Sequence, residues 1–106
     1  MTGSTVLEPQ VIPRTYLAPR YQVVLLDDDE HSYEYVIEML RKICGVPEST
    51  GYELACEVDA TGRAAVYTGP RETAELKQDQ IHQFGADPRI LKCSGSMTAI
   101  LERVDD

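Results

Sequence analysis

The sequence predicts an α+β fold: a small antiparallel sheet of about three strands, with three helices packed on one face. Three short segments rich in apolar and β-branched residues have the composition of strands. Three other segments combine helical spacing of apolar residues with helix start and stop signals. The order along the chain is β-α-α-β-α-β, and helices that run between so few strands favour one helical layer on one sheet.

The first strand and the first helix have the clearest signals. The segment YQVVLL, residues 21–26, is apolar and β-branched, so it predicts a strand buried on both faces or nearly so. Ser32 can cap a helix that runs to about Cys44, where Gly45 can end it in a left-handed conformation. This helix would bury a stripe of residues at i, i+3, i+4 and i+7 spacing: Val36, Met39, Leu40 and Ile43.

A second helix and a second strand follow. Pro47 suits the first turn of the helix, which should run to about Ala60 and end before Gly62. The segment RAAVYT, residues 63–68, predicts the strand, and the dipeptide GP after it is a turn signal.

The last part of the chain predicts a helix, a loop and a strand. The helix should run from about Arg71 to Phe84, closed by Gly85. Residues 86–95 predict a loop, and MTAILERV, residues 97–104, predicts the final strand. We expect three residues of the helix to face inward: Leu76, Ile81 and Phe84.

The first 20 residues differ from the rest of the chain. They contain three prolines and neither a helical nor an alternating pattern. We expect residues 1–20 to form an extended, mobile arm and residues 21–106 to form one core domain. An incidental disordered tail is equally compatible with the composition of the arm.

Composition excludes several classes of protein. The net charge of −8 argues against nucleic-acid binding, because no basic stretch could neutralise a row of phosphates. No apolar run reaches the length of a membrane span and the start lacks a signal-peptide pattern, so we expect a cytoplasmic protein. Cys44, Cys56 and Cys93 are odd in number and not closely paired, which favours neither a disulfide framework nor a zinc site.

The stretch VVLLDDDEHSYEYV is the most informative, because an apolar strand ends there in carboxylates beside a helix start. In the ordinary structural interpretation, these acids meet the free N–H groups and the dipole of the helix. Receiver domains and haloacid-dehalogenase-type phosphatases also end a strand in acids, but they need larger sheets and further motifs. Adjacent strand residues point to opposite faces, which disfavours a metal site. Neither His31 nor His82 has a recognisable arrangement with Cys or Ser, so we predict no catalytic residue, no metal and no cofactor.

Several motifs in order carry a resemblance to a known family. They are YQVVLLDDDEHSYEYVIEMLRKI, ELACEVDATGRAAVYTG, ETAELK and AILERV, and together they cover residues 21–104. In this order they resemble the ClpS family of N-degron adaptors. The resemblance implies a monomeric adaptor, not an enzyme, that binds the free N-terminal residue of a substrate protein. That residue would be bulky and apolar or aromatic, and the adaptor would deliver the substrate to a Clp-type Hsp100 unfoldase for ATP-dependent proteolysis.

The resemblance also implies a role for individual residues. Asp27, Asp28 and Asp59 match positions that bind the α-amino group of the substrate. Six residues match the lining of the pocket: His31, Tyr33, Val36, Ala55, Val58 and Met97. Three residues of the third helix match the surface that contacts the N-terminal domain of the unfoldase: Glu72, Glu75 and Lys77.

The chain departs from the family pattern at the pocket. Asp27 stands where the family has Asn, Asp59 where it has His, and Tyr33 where it has a gating Met. A carboxylate accepts charge-assisted hydrogen bonds from an ammonium group, but two acids that share a site repel each other. We expect a pocket that still takes a large side chain, with a changed ranking. The alternatives are that the acidic rim admits Arg or Lys, or that a ClpS-like module has lost N-terminal recognition and binds another partner.

Overall fold

The computed structural model describes residues 19–28, 30–90, 93 and 95–104, and the six predicted elements occur there in the predicted order. The strands are β1 (Arg20–Leu26), β2 (Arg63–Pro70) and β3 (Ala99–Val104). The helices are α1 (Tyr33–Cys44), α2 (Glu48–Thr61) and α3 (Arg71–His82). The α+β prediction is confirmed, whereas most of the predicted arm lies outside the described residues.

The sheet is antiparallel, with strand order β2-β1-β3, so β1 is its central strand. Val23, Val24 and Leu25 of β1 are at most 1% exposed, as predicted for a strand buried on both faces. The pairing of β1 with β2 shifts between Val23 and Val24, which pair with Tyr67 and Ala65. The shift leaves one extra residue in β2, the signature of a β-bulge.

The hydrophobic core lies between the sheet and the helices. All three helices contact at least one strand, and α1 also packs against α2 and α3. The apolar stripe predicted for α1 is buried in this core. The buried cluster consists of Val23, Leu25, Tyr35, Val36, Met39, Leu40, Ile43, Ala55, Val58, Ala64, Val66, Ala74, Ile81, Met97 and Ala99.

The helix ends follow their capping signals. The Ser32 side chain accepts a hydrogen bond from the backbone N–H of Tyr35, which fixes the start of α1. Gly45 and Gly62 adopt φ of 70° and 88° after α1 and α2, a region that L-residues with a side chain rarely adopt. Pro47 lies immediately before the first residue of α2, one position earlier than a first-turn proline.

The inward face of α3 differs from the prediction at Leu76, which is 53% exposed. Two apolar residues of the helix, Ala74 and Ile81, are fully buried. Between them, Lys77 and Gln78 complete an i, i+3, i+4, i+7 stripe and are partly buried. Lys77 Nζ donates to the Ile43 carbonyl at 2.6 Å, and Gln78 Nε2 donates to the Ala99 carbonyl at 2.9 Å. The inward face therefore includes two polar residues, so a prediction based on the apolar residues alone placed Leu76 on the wrong face.

The boundaries of α3 and β3 are tighter than predicted. The helix ends at His82, because Phe84 N–H turns to the Ile81 carbonyl at 3.2 Å in a tight final turn. Strand β3 begins at Ala99, although the Thr98 carbonyl already accepts a hydrogen bond from Leu26 N–H at 2.9 Å. Of the helices in the described part of the chain, none is long and apolar enough to cross a membrane.

Candidate functional site

The acidic stretch after β1 lies at the junction of the sheet with α2. Asp27 N–H donates to the Gly62 carbonyl at 3.0 Å, so the first acid of the stretch lies beside the end of α2. Asp27 and Asp28 are both exposed, whereas Asp29 lies outside the described residues. An Asp28 Oδ1 atom accepts a hydrogen bond from Glu30 N–H at 2.9 Å. This local bond orients one carboxylate at the candidate mouth of the pocket.

Tyr33 joins the first turn of α1 to the last turn of α2. Its hydroxyl donates to Asp59 Oδ2 at 2.8 Å, and its ring meets the ring of Tyr52 edge-on with centroids 5.9 Å apart. The hydrogen bond to Asp59, followed by desolvation, raises the pKa of Tyr33 above its ordinary value. The structure therefore brings together Tyr33 and Asp59, two residues predicted for the site from opposite helices.

His31 is turned away from solvent, and its side chain is only 2% exposed. Its Nδ1 atom lies 2.7 Å from Asp28 Oδ1, and its Nε2 atom lies 2.7 Å from the Gly95 carbonyl. Cys93 Sγ lies 3.3 Å from the same Nε2 atom. The expectation that neither histidine is paired with a cysteine is therefore wrong for His31. Cys93 and Gly95 contact it across 62 and 64 residues of chain, contacts that spacing does not reveal.

Asp87 fastens the loop after α3 to the start of α1. It is only 1% exposed, and its Oδ2 atom accepts hydrogen bonds from both Ser32 N–H and Ser32 Oγ at 2.7 Å. Its Oδ1 atom accepts from Arg89 N–H at 3.0 Å and Nη1 at 3.3 Å. Burial acts to raise the pKa of Asp87, but the hydrogen bonds from Ser32 and Arg89 outweigh it and lower the pKa to about 2.

Tyr35, which is buried, also forms a hydrogen bond with this loop. Its side chain is 1% exposed, and its hydroxyl donates to the Gly85 carbonyl at 2.5 Å. Its ring lies 4.5 Å from the His31 ring and 5.4 Å from the Phe84 ring, between centroids. Burial raises the pKa of Tyr35, so its phenol stays protonated and keeps donating. The aromatic contacts hold His31 in its place under the acidic stretch.

The apolar residues predicted to line the pocket share one location. Each is at most 5% exposed and belongs to the same buried cluster: Val36, Ala55, Val58 and Met97. An open groove between the end of α1 and the start of α2 contains none of the predicted site residues. In the described part of the chain, no three His, Cys, Asp or Glu side chains are arranged to hold a metal ion.

The residues predicted to contact an unfoldase lie along α3, but in different environments. Glu72 is exposed, and Glu75 Oε2 accepts a hydrogen bond from Arg71 at 3.1 Å. Lys77 is bound inside the molecule, where its ammonium group meets the Ile43 carbonyl and lies 5.8 Å from the Tyr67 ring centroid. The two glutamates thus form the outward part of the predicted surface, and Lys77 connects α3 to α1.

Sequence patterns do not single out three loop residues that the structure brings to the site: Asp87, Cys93 and Gly95. Their contacts with His31 and Ser32 span between 55 and 64 residues of chain. One signal was available: an aspartate in the loop could have been considered as a second partner for the capping Ser32. Nothing in the spacing of the residues singled out this aspartate from the other acids.

Comparisons with known proteins identify the family of the chain. The family model described as "ATP-dependent Clp protease adaptor protein ClpS" matches residues 17–94. The ClpS adapter of Nostoc sp. is 36% identical over 77 residues, which cover 72% of this chain and 77% of the relative. The ClpS adapter of Thermosynechococcus vestitus is 34% identical over 79 residues, which cover 74% of this chain and 83% of the relative.

A solved structure has the same fold. It is Agrobacterium tumefaciens ClpS2 bound to L-phenylalaninamide, and it superposes with a TM-score of 0.70 at 25% sequence identity. The match covers 81% of this chain and 98% of the solved chain. Because the family model, the curated relatives and the fold all agree, the chain belongs to the ClpS family of adaptor proteins of the ATP-dependent Clp protease.

Proposed function

We propose that this adaptor binds the free N-terminal residue of substrate proteins, when that residue is bulky and apolar or aromatic. It then delivers them to a Clp-type Hsp100 AAA+ unfoldase for ATP-dependent proteolysis. The observation that carries the proposal is the exposed contact of Tyr33 with Asp59 near the end of α2, where Asp27 also lies. The apolar residues predicted for the pocket belong to one buried cluster. The related ClpS2 with L-phenylalaninamide, a ligand with a free amine and an aromatic side chain, supports it.

The acids of the mouth suit an α-ammonium group. The Tyr33 hydroxyl donates to Oδ2 of Asp59, and the carboxylate has further lone pairs that can accept hydrogen bonds from the ammonium group. Asp27 and Asp28 supply additional negative charge at the end of β1. Charge-assisted hydrogen bonds of this kind are about twice as strong as neutral ones. Acetylation removes both the charge and two donors of the amine, so an acetylated peptide would bind weakly.

The side chain of the first residue would enter between α1 and α2. Val36, Val58 and Met97, which are buried in one cluster, would form apolar walls, and the small Ala55 would leave room for a large group once Tyr33 moves aside. Burial of apolar surface supplies affinity of about 25 cal/mol per Å², before the cost of association is subtracted. This step involves binding without bond-making chemistry, as expected of an adaptor.

Delivery would use the outward face of α3. Glu72 and Glu75 present carboxylates to a partner, and Leu76 adds an exposed apolar side chain between them and the end of the helix. Docking there would hold the substrate near the unfoldase and raise its local concentration. We propose that the adaptor acts as a monomer in the cytoplasm, and that Lys77 supports this face by fixing α3 to α1.

The test is binding of fluorescent peptides that differ only in their first residue, each with an acetylated control. We expect tight binding of peptides that begin with Phe, Tyr, Trp or Leu, lost on acetylation. Asp59→Asn should weaken the free-amine peptides by about tenfold, while the exposed Asp79→Asn on α3 should leave them unchanged. Equal binding of free and acetylated peptides would contradict the proposal.

A second candidate function is recognition of a basic first residue. It is favoured by the acidic side chains of Asp27, Asp28 and Asp59 on the described rim. A guanidinium or ammonium side chain would pair with these carboxylates as the α-ammonium does. Peptides that begin with Arg or Lys decide between the two: they would bind best under this alternative and worst under the main proposal.

A further inference from the structure

We propose that Cys93 is an activated thiol, and that it forms a reversible mixed disulfide with low-molecular-weight disulfides. The cluster around it consists of Cys93, His31 and Asp28, with the backbone N–H of Asp87. A nucleophile, a basic partner and a carboxylate that orients this partner are the arrangement by which proteins activate thiols. The reactivity of Cys93 does not depend on the proposed function. The effect of its modification on substrate binding does rest on the proposed function.

The Cys93 sulfur lies between a backbone N–H and the His31 ring, and the thiol donates to the Gly95 carbonyl at 3.3 Å. Asp87 N–H donates to Cys93 Sγ at 3.1 Å, and His31 Nε2 lies 3.3 Å away. Asp28 Oδ1 lies 2.7 Å from the other ring nitrogen of His31 and fixes the orientation of the ring. The thiol itself is partly exposed, so a small reagent can reach it.

The contacts of His31 hold its ring beside the sulfur. Nδ1 faces the Asp28 carboxylate and Nε2 faces the Gly95 carbonyl, each at 2.7 Å. A positively charged imidazole beside a sulfur stabilises the thiolate, which is the nucleophilic form of cysteine.

The other two cysteines provide an internal comparison. Burial raises the pKa of the Cys44 thiol and suppresses its thiolate form. Cys56 lies near the phenol groups of Tyr52 and Tyr33 and acts to raise the pKa of both. Lys77 lies near Cys44 and acts to lower its pKa, but burial outweighs it, whereas Cys93 contacts an imidazole and a backbone N–H, so the three thiols should differ in reactivity within one molecule.

The modification is a thiol–disulfide exchange. The Cys93 thiolate attacks one sulfur of the small disulfide, a new S–S bond forms to Cys93 Sγ, and the second sulfur leaves as a thiolate. The proton of the Cys93 thiol passes to solvent before the attack. The added group would occupy the space between Asp87 N–H and His31, and would displace the Gly95 carbonyl from the His31 ring. Because His31 holds Asp28, the change reaches the candidate amine site.

The test begins with the unmodified full chain and iodoacetamide, followed by peptide mapping of the three cysteines by mass spectrometry. We expect Cys93 to react at least about tenfold faster than Cys44, and faster in the folded protein than in guanidinium chloride. A partly exposed thiol that is not activated reacts more slowly in the folded protein than in the denatured chain. Slower reaction of Cys93 in the folded protein than in the denatured chain would overturn the proposal, and this comparison needs no variant.

Variants and the mixed disulfide complete the test. His31→Gln should lower the folded-state rate of Cys93 about tenfold, while the rate of Cys56 stays constant; an unchanged rate of Cys93 would also overturn the proposal. Incubation with glutathione disulfide should add one glutathione at Cys93, removable by dithiothreitol, and none to Cys93→Ser. Binding of a phenylalanine peptide should weaken several-fold on modification and recover on reduction. If no peptide binds the unmodified chain, the proposed function fails, and the mapping alone still decides the reactivity of Cys93.

Discussion

At the scale of single residues, Asp87 shows how a buried charge can support a site without touching a substrate. Its carboxylate is almost fully removed from water, yet Ser32 and Arg89 give it four hydrogen-bond donors. Those donors hold the start of α1, and with it the orientation of Tyr33 and His31. A carboxylate paired in this way stays ionised at neutral pH and stabilises the folded state.

Asp87→Asn should therefore lower the free energy of unfolding by about 2 kcal/mol at pH 7. The pKa of Asp87 falls from 3.8 to about 2 on folding, so its contribution is complete above pH 3.8 and is lost as the pH falls through 2. The difference between wild type and variant, measured by urea denaturation, should shrink accordingly between pH 4 and pH 2. The exposed Asp79→Asn is the matched control and should change stability little. Equal stability of wild type and Asp87→Asn at pH 7 would refute this role.

Tyr33 is the second residue whose role can be isolated. Tyr33→Phe keeps the ring contact with Tyr52 but removes the hydrogen bond to Asp59. Because Tyr33 is exposed, we expect little change in stability. The affinity for a free-amine peptide should change several-fold, since Asp59 loses the group that orients it. Calorimetric titration with free and acetylated peptides measures both affinities. An equal change of affinity for the two peptides would contradict the role of Tyr33 in orienting Asp59 toward the amine.

At the scale of elements, α3 shows what a sequence pattern can and cannot specify. The strands, the helix caps and the glycine stops were predictable, because each depends on neighbours within a few residues. The inward face of α3 was not, because Lys77 and Gln78 are polar residues whose chain-distant partners lie on α1 and β3. Their alkyl stems pack inward while their polar ends bond to backbone carbonyls. Hydrophobicity alone therefore pointed to Leu76.

The orientation of α3 has a direct consequence for stability. Lys77→Met should cost about 1 kcal/mol, since the Ile43 carbonyl at the end of α1 loses a charged donor at 2.6 Å. Leu76→Ala, one residue earlier and 53% exposed, should stay within about 0.5 kcal/mol of wild type. Urea denaturation of the pair compares them directly. A larger loss of unfolding free energy for Leu76→Ala than for Lys77→Met would mean that Leu76, and not Lys77, lies on the inward face of α3.

At the scale of the whole molecule, the candidate site has two parts, and only one of them could be predicted from the sequence. The acids after β1 and the residues of α1 and α2 could be placed from the sequence, through their order and their resemblance to ClpS. The loop after α3 could not, because Ser32, Tyr35 and His31 meet it across 50 to 64 residues. Such contacts depend on the return of the chain from α3 to β3, which brings Asp87, Cys93 and Gly95 beside α1.

The charge of the molecule gives the last prediction. The chain has a net charge of −8, and acids line the described rim of the candidate site, so the α-ammonium of a substrate approaches a negative surface. Exposed charges are screened beyond about 8 Å at physiological salt and beyond about 30 Å at 0.01 M. The dissociation constant of a free-amine phenylalanine peptide should therefore rise by about three- to tenfold from 0.01 M to 0.5 M salt.

The same measurement separates electrostatic from apolar recognition. Asp27→Asn should reduce the dependence on salt, because it removes one exposed carboxylate at the end of β1. A lysine at the second position of the peptide should increase it, since a second positive charge then meets the rim. Apolar burial alone would give affinity that stays constant or increases with salt, because salts that are excluded from protein surfaces strengthen it. Fluorescence anisotropy across the salt series would thus show whether the acids that replace the family's Asn and His contribute to binding or merely border the pocket.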